Sequence, residues 1–486
     1  EEGGISLGMR GSDGSASRGG GVVVQQAGVF TGDGVVGGTL ASSGLLVPGR
    51  ANELGSRLKV RDSVISSGKT LFVIGEDGRA NGLDAKDINL QGEIVVAEYS
   101  GARIRPHQDY LNVASARDSL EVARAADIKV SDFISLVPRK EGNVLSLASV
   151  TTALDSLPGV PGKTNAVTGA LEHMYHNLKG DPLQRRMDFL YHQSREGLLG
   201  TAADLRGDMQ AATLTALPFG DGRLIRQLPD AGQLNSGLHG ENSEALSTAE
   251  GVSGMRVWLR PVIGYAKSGA DNSIGQDSMT THTWGGVTGM EWRNDDLRAG
   301  GLLAVGESRL AQGGDEARIV DVRGGFYAGY VPGALSLTGL VSLGWQDYDV
   351  DRYVNLQYGR EHFSSNYNGY TAGFGLEAAW DLLYYHDINM GLSPYAAFDF
   401  DYTRQESRKE SGDDVFGLEL SDKDLVRTAF RTGLELDFTP LERLGFSASL
   451  GYKRLLSGHR PGWDAGYKAE PAYHFRAGGK DEGRDC

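Results

Sequence analysis

The feature that most constrains this sequence is an alternation of apolar residues with Gly, Ser and charged residues in its C-terminal half. In "RLGFSASLGYKRLL" (443–456) every second residue from Leu444 to Tyr452 is apolar, and the residues between are mostly Gly and Ser. The polar face of a soluble half-buried strand normally carries Thr, Lys, Glu or Arg. Gly and Ser are poor strand formers, so their use on one face needs a reason, and one reason is a crowded lumen on that face with lipid on the other. A soluble barrel or sandwich explains this single stretch nearly as well. A tilted membrane strand needs about ten residues, which this stretch supplies.

The same alternation recurs in ten stretches, and this repetition predicts an antiparallel transmembrane β-barrel. Charges of both signs occupy the polar face, and Trp and Tyr lie near strand ends, as a lipid-facing wall with a polar interior requires. Tight connections such as "RNDD" and "VPGA" alternate with long polar ones such as "SGADNSIGQDSM" and "RQESRKESGDDVFG". The stretches are 255–267, 279–293, 296–309, 316–332, 334–350, 360–382, 387–405, 424–438, 443–455 and 464–475.

Composition excludes several other classes of protein. The chain of 486 residues has no run of eighteen apolar residues, which excludes a transmembrane helix. The net charge of -15 argues against nucleic acid as a partner, and the single Cys486 cannot form an intrachain disulfide. The sequence opens on Glu1 without a Met or a signal peptide, so we expect its natural start to lie upstream.

Two further regions precede the predicted barrel (254–486). Residues 1–163 are rich in Gly, Ser and Val, with β runs such as "GVVVQQAGVF" and "INLQGEIVVAEYSG" at irregular spacings. This texture is typical of a parallel β-solenoid, and a β-sandwich is the alternative. Residues 164–253 are predicted to be a helical linker that ends in a polar stretch. There, Asp181 and Pro182 are expected to begin one helix, and Thr201 with Asp204 to form the capping box of another.

The order of these parts resembles the type V autotransporters of Gram-negative bacteria over nearly all of the chain. "VWLRPVIGY", "LVSLGWQDYDVDR" and "NGYTAGFGLEAAW" are similar to the family's first, fifth and sixth translocator strands. "DLRGDMQAATLTAL" (204–217) resembles the segment where the pore-plugging helix begins, and "GTLASSGLLVPGR" and "GLDAKDINLQGEIVVAEYSG" resemble the end of a pertactin-like passenger. The resemblance implies a right-handed parallel β-solenoid stem, a helical plug and a twelve-stranded barrel.

The sequence departs from the family pattern in two places. Pro218 and Gly220 interrupt the expected plug helix. The family closes twelve strands and ends on an aromatic residue, whereas this chain has about ten strands and ends in "FRAGGKDEGRDC". That end resembles the loop before the eleventh strand, so we expect the last hairpin to be missing. A complete ten-stranded barrel is the alternative.

No chemistry-bearing motif predicts catalysis, a cofactor or a metal site. "RGD" at 206–208 could be an integrin ligand, but it lies inside a helical pattern. His173, His176 and His192 could make a metal site, but without a nearby acidic cluster or Cys they are expected to be helix-surface residues. Asn235 could be a self-cleavage site, as in some members of the family that the sequence resembles, but it is expected to be an ordinary residue of a polar linker. The functional candidates are instead charges on the inner face of the barrel, which can pair with one another or with the plug, or simply solvate a wet interior. The predicted lumen-lining residues are Arg256, Arg260, Glu291, Asp321, Arg323, Glu377, Asp399, Asp401, Arg431, Glu435 and Asp437, and the plug residues are Arg223 and Arg226.

The predicted function is an outer-membrane translocator that anchors and exports its own N-terminal passenger to the cell surface. The expected partners are outer-membrane lipid and lipopolysaccharide, the barrel-assembly machinery and periplasmic chaperones, around a monomeric barrel. One alternative is a porin-like channel, which should lack a long helical segment before its first strand. A second is a surface adhesin or enzyme whose active part lies upstream of residue 1.

Overall fold

The computed structural model describes most of the chain, and its residues form two compact units. The units are residues 1–158 with 179–198, and residues 159–178 with 199–486. The described residues are 20–101, 103–123, 126–160, 162–180, 182–220, 222–228, 254–270, 277–294, 296–385, 390–441, 444–458 and 462–478.

The first unit is built on short strands that pair in parallel with strands from later turns of the chain. The strands are β1 (Val22–Val24), β2 (Val29–Gly32), β3 (Gly34–Val36), β4 (Leu40–Ser42), β5 (Leu45–Pro48), β6 (Arg57–Val60), β7 (Ser63–Ser66), β8 (Lys69–Ile74), β9 (Gly82–Leu90), β10 (Ile94–Glu98), β11 (Tyr110–Val122), β12 (Ile128–Lys129), β13 (Ile134–Glu141) and β14 (Val144–Thr151). One sheet runs in the order β1-β4-β7-β9-β11-β14-β13-β12, with β3 and β6 beside it, and a second runs β10-β8-β5-β2. The pairing becomes antiparallel at β11/β14, β13/β14 and β12/β13.

Stacked apolar residues and stacked glycines hold these parallel turns together. Leu40 pairs with Val64, which pairs with Ile88, and all three side chains are buried. A Cβ on Gly68 would come within 2.0 Å of the carbonyl oxygen of Gly44, and a Cβ on Gly92 within 1.7 Å of that of Gly68. Only Gly allows successive turns of the chain to approach this closely.

Among the residues that the structure describes, five helices follow these strands. They are α1 (Gly162–Asn177), α2 (Pro182–Arg185), α3 (Asp188–His192), α4 (Arg195–Leu205) and α5 (Asp208–Ala212), followed by a 3-10 turn at Ile225–Gln227. The capping box predicted at Thr201 and Asp204 is wrong, because both residues lie inside α4. Ser194 precedes this helix, and its hydroxyl accepts a hydrogen bond from the N–H of Gly197. Asp181, the other predicted cap, lies outside the described residues.

In the described part of the chain, the second unit is dominated by an antiparallel sheet of nine long strands and one short one. These are β15 (Met255–Ser268), β16 (Met279–Asn294), β17 (Leu297–Gln312), β18 (Asp315–Tyr330), β19 (Leu335–Leu356), β20 (Gly359–Trp380), β21 (Leu383–Tyr385), β22 (Met390–Gln405), β25 (Lys423–Leu441) and β26 (Leu444–Ser457). Each long strand pairs with the next in chain order. Nine of the ten predicted stretches are therefore strands of this sheet. Within the described ranges, β15 pairs only with β16, and β26 only with β25.

The two faces of this sheet differ in burial at alternate positions. On β19, Val341 and Leu343 are 52% and 71% exposed, whereas Ser342 between them is 6% exposed. The exposed face is therefore apolar, as a lipid-facing wall requires. We call the opposite, buried face the inner face. No helix among the described residues is long and apolar enough to cross a membrane.

The prediction of a tenth barrel strand at 464–475 is wrong. Its residues form a hairpin of β27 (Gly462–Tyr467) and β28 (Glu470–Gly478), which pairs with β23 (Arg408–Lys409) and β24 (Leu418–Leu420) in a separate four-stranded sheet. The turn after Tyr467 reverses the chain, and Tyr467 packs on Phe475 at 5.0 Å between ring centroids and edge-on against Phe416. Tyr467 and Phe475 are buried against protein instead of facing lipid.

Candidate functional site: the filled interior of the sheet

Residues 199–228, which we call the plug segment, pack along the inner face of the long-stranded sheet. The segment contains the end of α4, then α5, and then turns across Pro218 and Gly220 to the 3-10 turn at Ile225–Gln227. It is not one continuous helix. The left-handed conformation of Gly207 (φ 73°) separates α4 from α5, and Pro218 lies in the irregular part beyond Ala212.

Two apolar clusters join the plug segment to the wall. We call the first one the lower cluster, and in it Leu224, Ile225 and Leu228 of the plug segment pack with residues of the sheet. Two of those sheet residues are also hydrogen-bonded, because Trp258 donates from Nε1 to the hydroxyl of Tyr327 at 2.9 Å. The full membership of the lower cluster is Phe219, Leu224, Ile225, Leu228, Trp258, Val287, Leu302, Ala304, Tyr327 and Leu340. The second, which we call the upper cluster, is Met209, Ala212, Leu217, Leu310, Ala317, Ile319, Tyr348, Val350 and Tyr367.

Glycines on the inner face make room for the plug segment. A Cβ on Gly306 of β17 would lie 2.9 Å from the ring of Phe219 and 3.0 Å from Pro218. A Cβ on Gly375 of β20 would lie 3.1 Å from the side chain of Ile225. The Gly-rich inner face therefore serves close packing with a segment inside the sheet, in addition to packing within the wall.

Several of the predicted lumen-lining charges form two buried ion-pair groups. In one, Arg323 Nε lies 2.9 Å from Asp321, and its Nη1 lies 3.5 Å from Asp401. In the other, Arg431 Nε lies 2.6 Å from Asp399, and its Nη2 lies 3.6 Å from Glu377. Each group brings one guanidinium between two carboxylates, an arrangement that offsets the cost of removing these charges from water.

The plug segment reaches one of these groups. Arg226 lies over the ring of Tyr395, with 5.2 Å between its guanidinium carbon and the ring centroid, and donates a hydrogen bond to the hydroxyl of Ser449 at 3.3 Å. A Cβ on Gly222 would lie 2.3 Å from the carboxylate of Asp399, so the backbone of the plug segment touches that group. Arg223 is exposed and donates a hydrogen bond to the carbonyl of Leu217 within its own segment.

The remaining predicted residues lie at separate positions on the inner face. Arg260 donates from Nη1 to the carbonyl of Leu228 at 3.0 Å, and Glu291 is buried and accepts from the hydroxyl of Tyr327 at 3.1 Å. Arg256 and Glu435 are half-buried. The side chain of Asp437 lies outside the described residues.

The first and third residues of the RGD tripeptide (206–208) pair with each other. Arg206 is 1% exposed, and its guanidinium pairs with the carboxylate of Asp208 two residues away. Gly207 between them is in contact distance of Leu418, because a Cβ there would lie 2.5 Å from that side chain. This geometry is incompatible with presentation of the tripeptide to an integrin.

Sequence reasoning did not find a further buried cluster where α5 meets the connection between β22 and β25. Arg352 pairs with Glu410, and Gln210 of α5 contacts both Arg408 and Glu410. Burial lowers the pKa of the Arg408 guanidinium, and the nearby Tyr367 and Glu410 oppose this effect. The only sequence signal was the mixed charge of "RQESRKESGDDVFG", which is equally typical of a solvated loop.

A sheet of long antiparallel strands, apolar outside and filled with polar and apolar groups inside, defines the class of outer-membrane β-barrels. Within that class, residues 257–485 match the model of the autotransporter beta-domain family. The barrel is accordingly an outer-membrane translocator, with its passenger exported to the cell surface. This family is not enzymatic, so the barrel contributes transport and not catalysis.

Comparisons with known proteins give low sequence identity. The translocator domain of the autotransporter NalP from Neisseria meningitidis is 16% identical, with a TM-score of 0.37, over 45% of this chain and 78% of that one. The beta domain of the Bordetella autotransporter Brka is 18% identical, with a TM-score of 0.33, over 44% of this chain and 84% of that one. No curated protein matches the sequence.

Proposed function

We propose that the plug segment closes the pore of this translocator, and that residues 1–163 are the stem of its passenger. The observation that carries the proposal is the seating of residues 199–228 in two apolar clusters on the inner face. A segment so bound leaves little room for free diffusion through the sheet. The proposed domains are a stem (1–163), a linker and plug (164–253) and a barrel (254–486).

The stem is proposed to be a parallel β-solenoid. The parallel pairing of β1, β4, β7 and β9, with buried aliphatic residues stacked in register, supports this assignment. A solenoid exposes its end turn as a template for the next turn, so a stem of this kind can support the folding of passenger sequence outside the cell.

The proposed role of the inner-face charges is to hold the plug segment in place. Support comes from Asp399, which touches the plug backbone at Gly222 and pairs with Arg431. Arg260, which donates to Leu228 at the end of the plug segment, gives a second polar attachment. We propose the same role for the other predicted lumen residues.

The proposed surroundings follow from the outer face and the family. Exposed aliphatic and aromatic residues on the long strands fit the acyl chains of outer-membrane lipid and lipopolysaccharide. The barrel is proposed to be monomeric, and to reach the membrane through periplasmic chaperones and the barrel-assembly machinery, as the resemblance implies.

Conductance in planar bilayers tests the proposed function. The full chain should show low conductance, and deletion of 201–228 should raise it, because both apolar clusters then lose their inner members. Heat-modifiable gel mobility checks that the deletion variant still forms a barrel. Equal conductance with and without the segment would contradict the plug. High conductance in both would favour the porin-like channel.

A further inference from the structure

The buried cluster around Gln210 holds the plug segment to a connection outside the long strands. Gln210 lies on α5 and is completely buried. Its amide oxygen accepts hydrogen bonds from Arg408 Nε at 2.9 Å and Nη2 at 2.7 Å. Its amide nitrogen donates to Glu410 at 3.2 Å and to Ser365 at 3.0 Å. One side chain of the plug segment therefore binds a cation and an anion of the same connection.

The partners of Gln210 are themselves fixed by other groups. The Arg408 guanidinium carbon lies 3.7 Å from the ring centroid of Tyr367 and 3.8 Å from that of Trp463, a stacking on two aromatic faces. Glu410 accepts two hydrogen bonds from Arg352, at 3.1 and 2.5 Å, and one from the backbone N–H of Leu418 at 2.9 Å. A buried charge with this many partners keeps one orientation.

The local sequence explains why the side chains of Arg408 and Glu410 lie on the same side of the backbone. In the extended stretch Arg408–Lys409 and onward to Glu410, side chains alternate between two sides of the backbone. Arg408 and Glu410 are 6% and 2% exposed, whereas the side chain of Lys409 between them is 67% exposed and pairs with Glu419. Two opposite charges at alternate positions are therefore presented together to Gln210.

We propose that residues 406–417 form a latch that fixes the plug segment in the pore through Gln210. The inference rests on the proposed function of 199–228 as the plug. An amide suits this position because it accepts from Arg408 and donates to Glu410 at once, which neither an apolar nor a carboxylate side chain can do. The latch residues are positioning residues: they keep the α5 end of the plug segment seated, while the lower cluster seats its other end.

Single-channel recording on the full chain tests the latch. Gln210→Leu keeps the side-chain volume but removes all four hydrogen bonds, so openings should become at least about tenfold more frequent than in the parent protein. The open level should stay below that of the 201–228 deletion, because the lower cluster still holds the segment. Lys409→Gln is the matched control on the same connection and should behave like the parent protein.

The outcomes separate the latch from the plug. A folded Gln210→Leu variant that stays as closed as the parent protein, while the deletion is open, would overturn the latch and leave the plug intact. A deletion without effect would overturn the plug itself. If Gln210→Leu fails to give a heat-modifiable band, Gln210→Asn is recorded instead. Asn keeps the amide but is one methylene shorter, so more openings support the latch and parental closure overturns it.

Discussion

At the scale of single residues, neighbouring positions on one strand of the barrel tolerate different side chains because one faces outward and the next faces inward. Leu434 and Glu435 of β25 are adjacent, and Leu434 is 45% exposed on the outer face while Glu435 is half-buried on the inner face. A charge on the outer face near the middle of the bilayer costs roughly 2–4 kcal/mol, and the same charge in a polar interior costs much less.

Leu434→Arg should therefore impair barrel assembly, and Glu435→Arg should be tolerated far better. The two variants introduce the same side chain one residue apart, so each is the control for the other. Heat-modifiable gel mobility of the full chain gives the folded fraction. Equal damage from both substitutions would show that the assignment of faces on this strand is wrong.

The limits of sequence reasoning at this scale follow from distance along the chain. The alternation on one strand gives the outer and inner sides of Leu434 and Arg431 directly, because it is a property of a few consecutive residues. The contact between Gln210 and Arg408 joins residues 198 positions apart. No local pattern records such a pair, so "RQESRKESGDDVFG" read only as a polar connection.

At the scale of elements, the long strands and the start of α2 at Pro182 were predictable, whereas the capping box at Thr201 and the last hairpin were not. The nine long strands all show the same two-residue alternation in the same kind of environment, so the pattern in each strand strengthens the prediction of the others. β27 and β28 carry apolar side chains at similar spacing, but their partners are short strands and aromatic residues of other connections. In the first unit, Gly44, Gly68 and Gly92 recur with the parallel turns, a spacing that the sequence interpretation missed.

The fit between wall and plug gives a prediction for two glycines on neighbouring strands. Gly306→Val should destabilise the barrel by about 1–3 kcal/mol, because the new side chain overlaps the rings of Phe219 and Pro218 in a closely packed region. Gly324→Val is the control, since a Cβ on Gly324 has no neighbour within 4 Å among the described residues. Both gain the same strand propensity.

The measurement is the midpoint temperature of the heat-modifiable gel shift for both variants. The Gly306 variant should lose its compact band at a lower temperature than the parent protein, and the Gly324 variant should not. A Gly306 variant as stable as the Gly324 variant would mean that the plug segment does not pack on β17 in the membrane.

At the scale of the whole molecule, the two units pair the backbone N–H and C=O groups of their strands in different ways. In the first unit, parallel strands from successive turns extend a ladder along the stack. In the second, antiparallel neighbours extend one sheet from β15 to β26. The long antiparallel strands were readable from the sequence because their apolar residues alternate with a period of two. The pairing of β15 and β26, at the two ends of the sheet, could not be predicted from the sequence, since no residue pattern specifies which distant strand completes a barrel.

The edges of the sheet give the prediction at this scale. A backbone group without a partner costs several kcal/mol in lipid, so an edge strand should open more readily than a central one. Among the described residues, β15 pairs only with β16 and β26 only with β25, whereas β18 pairs on both sides. Hydrogen exchange of the full chain in lipid nanodiscs should therefore be at least about tenfold faster, after correction for intrinsic rates, in 257–265 and 448–455 than in 319–329. Equal protection in all three ranges would show that the outer edges of β15 and β26 are covered, by each other or by another strand.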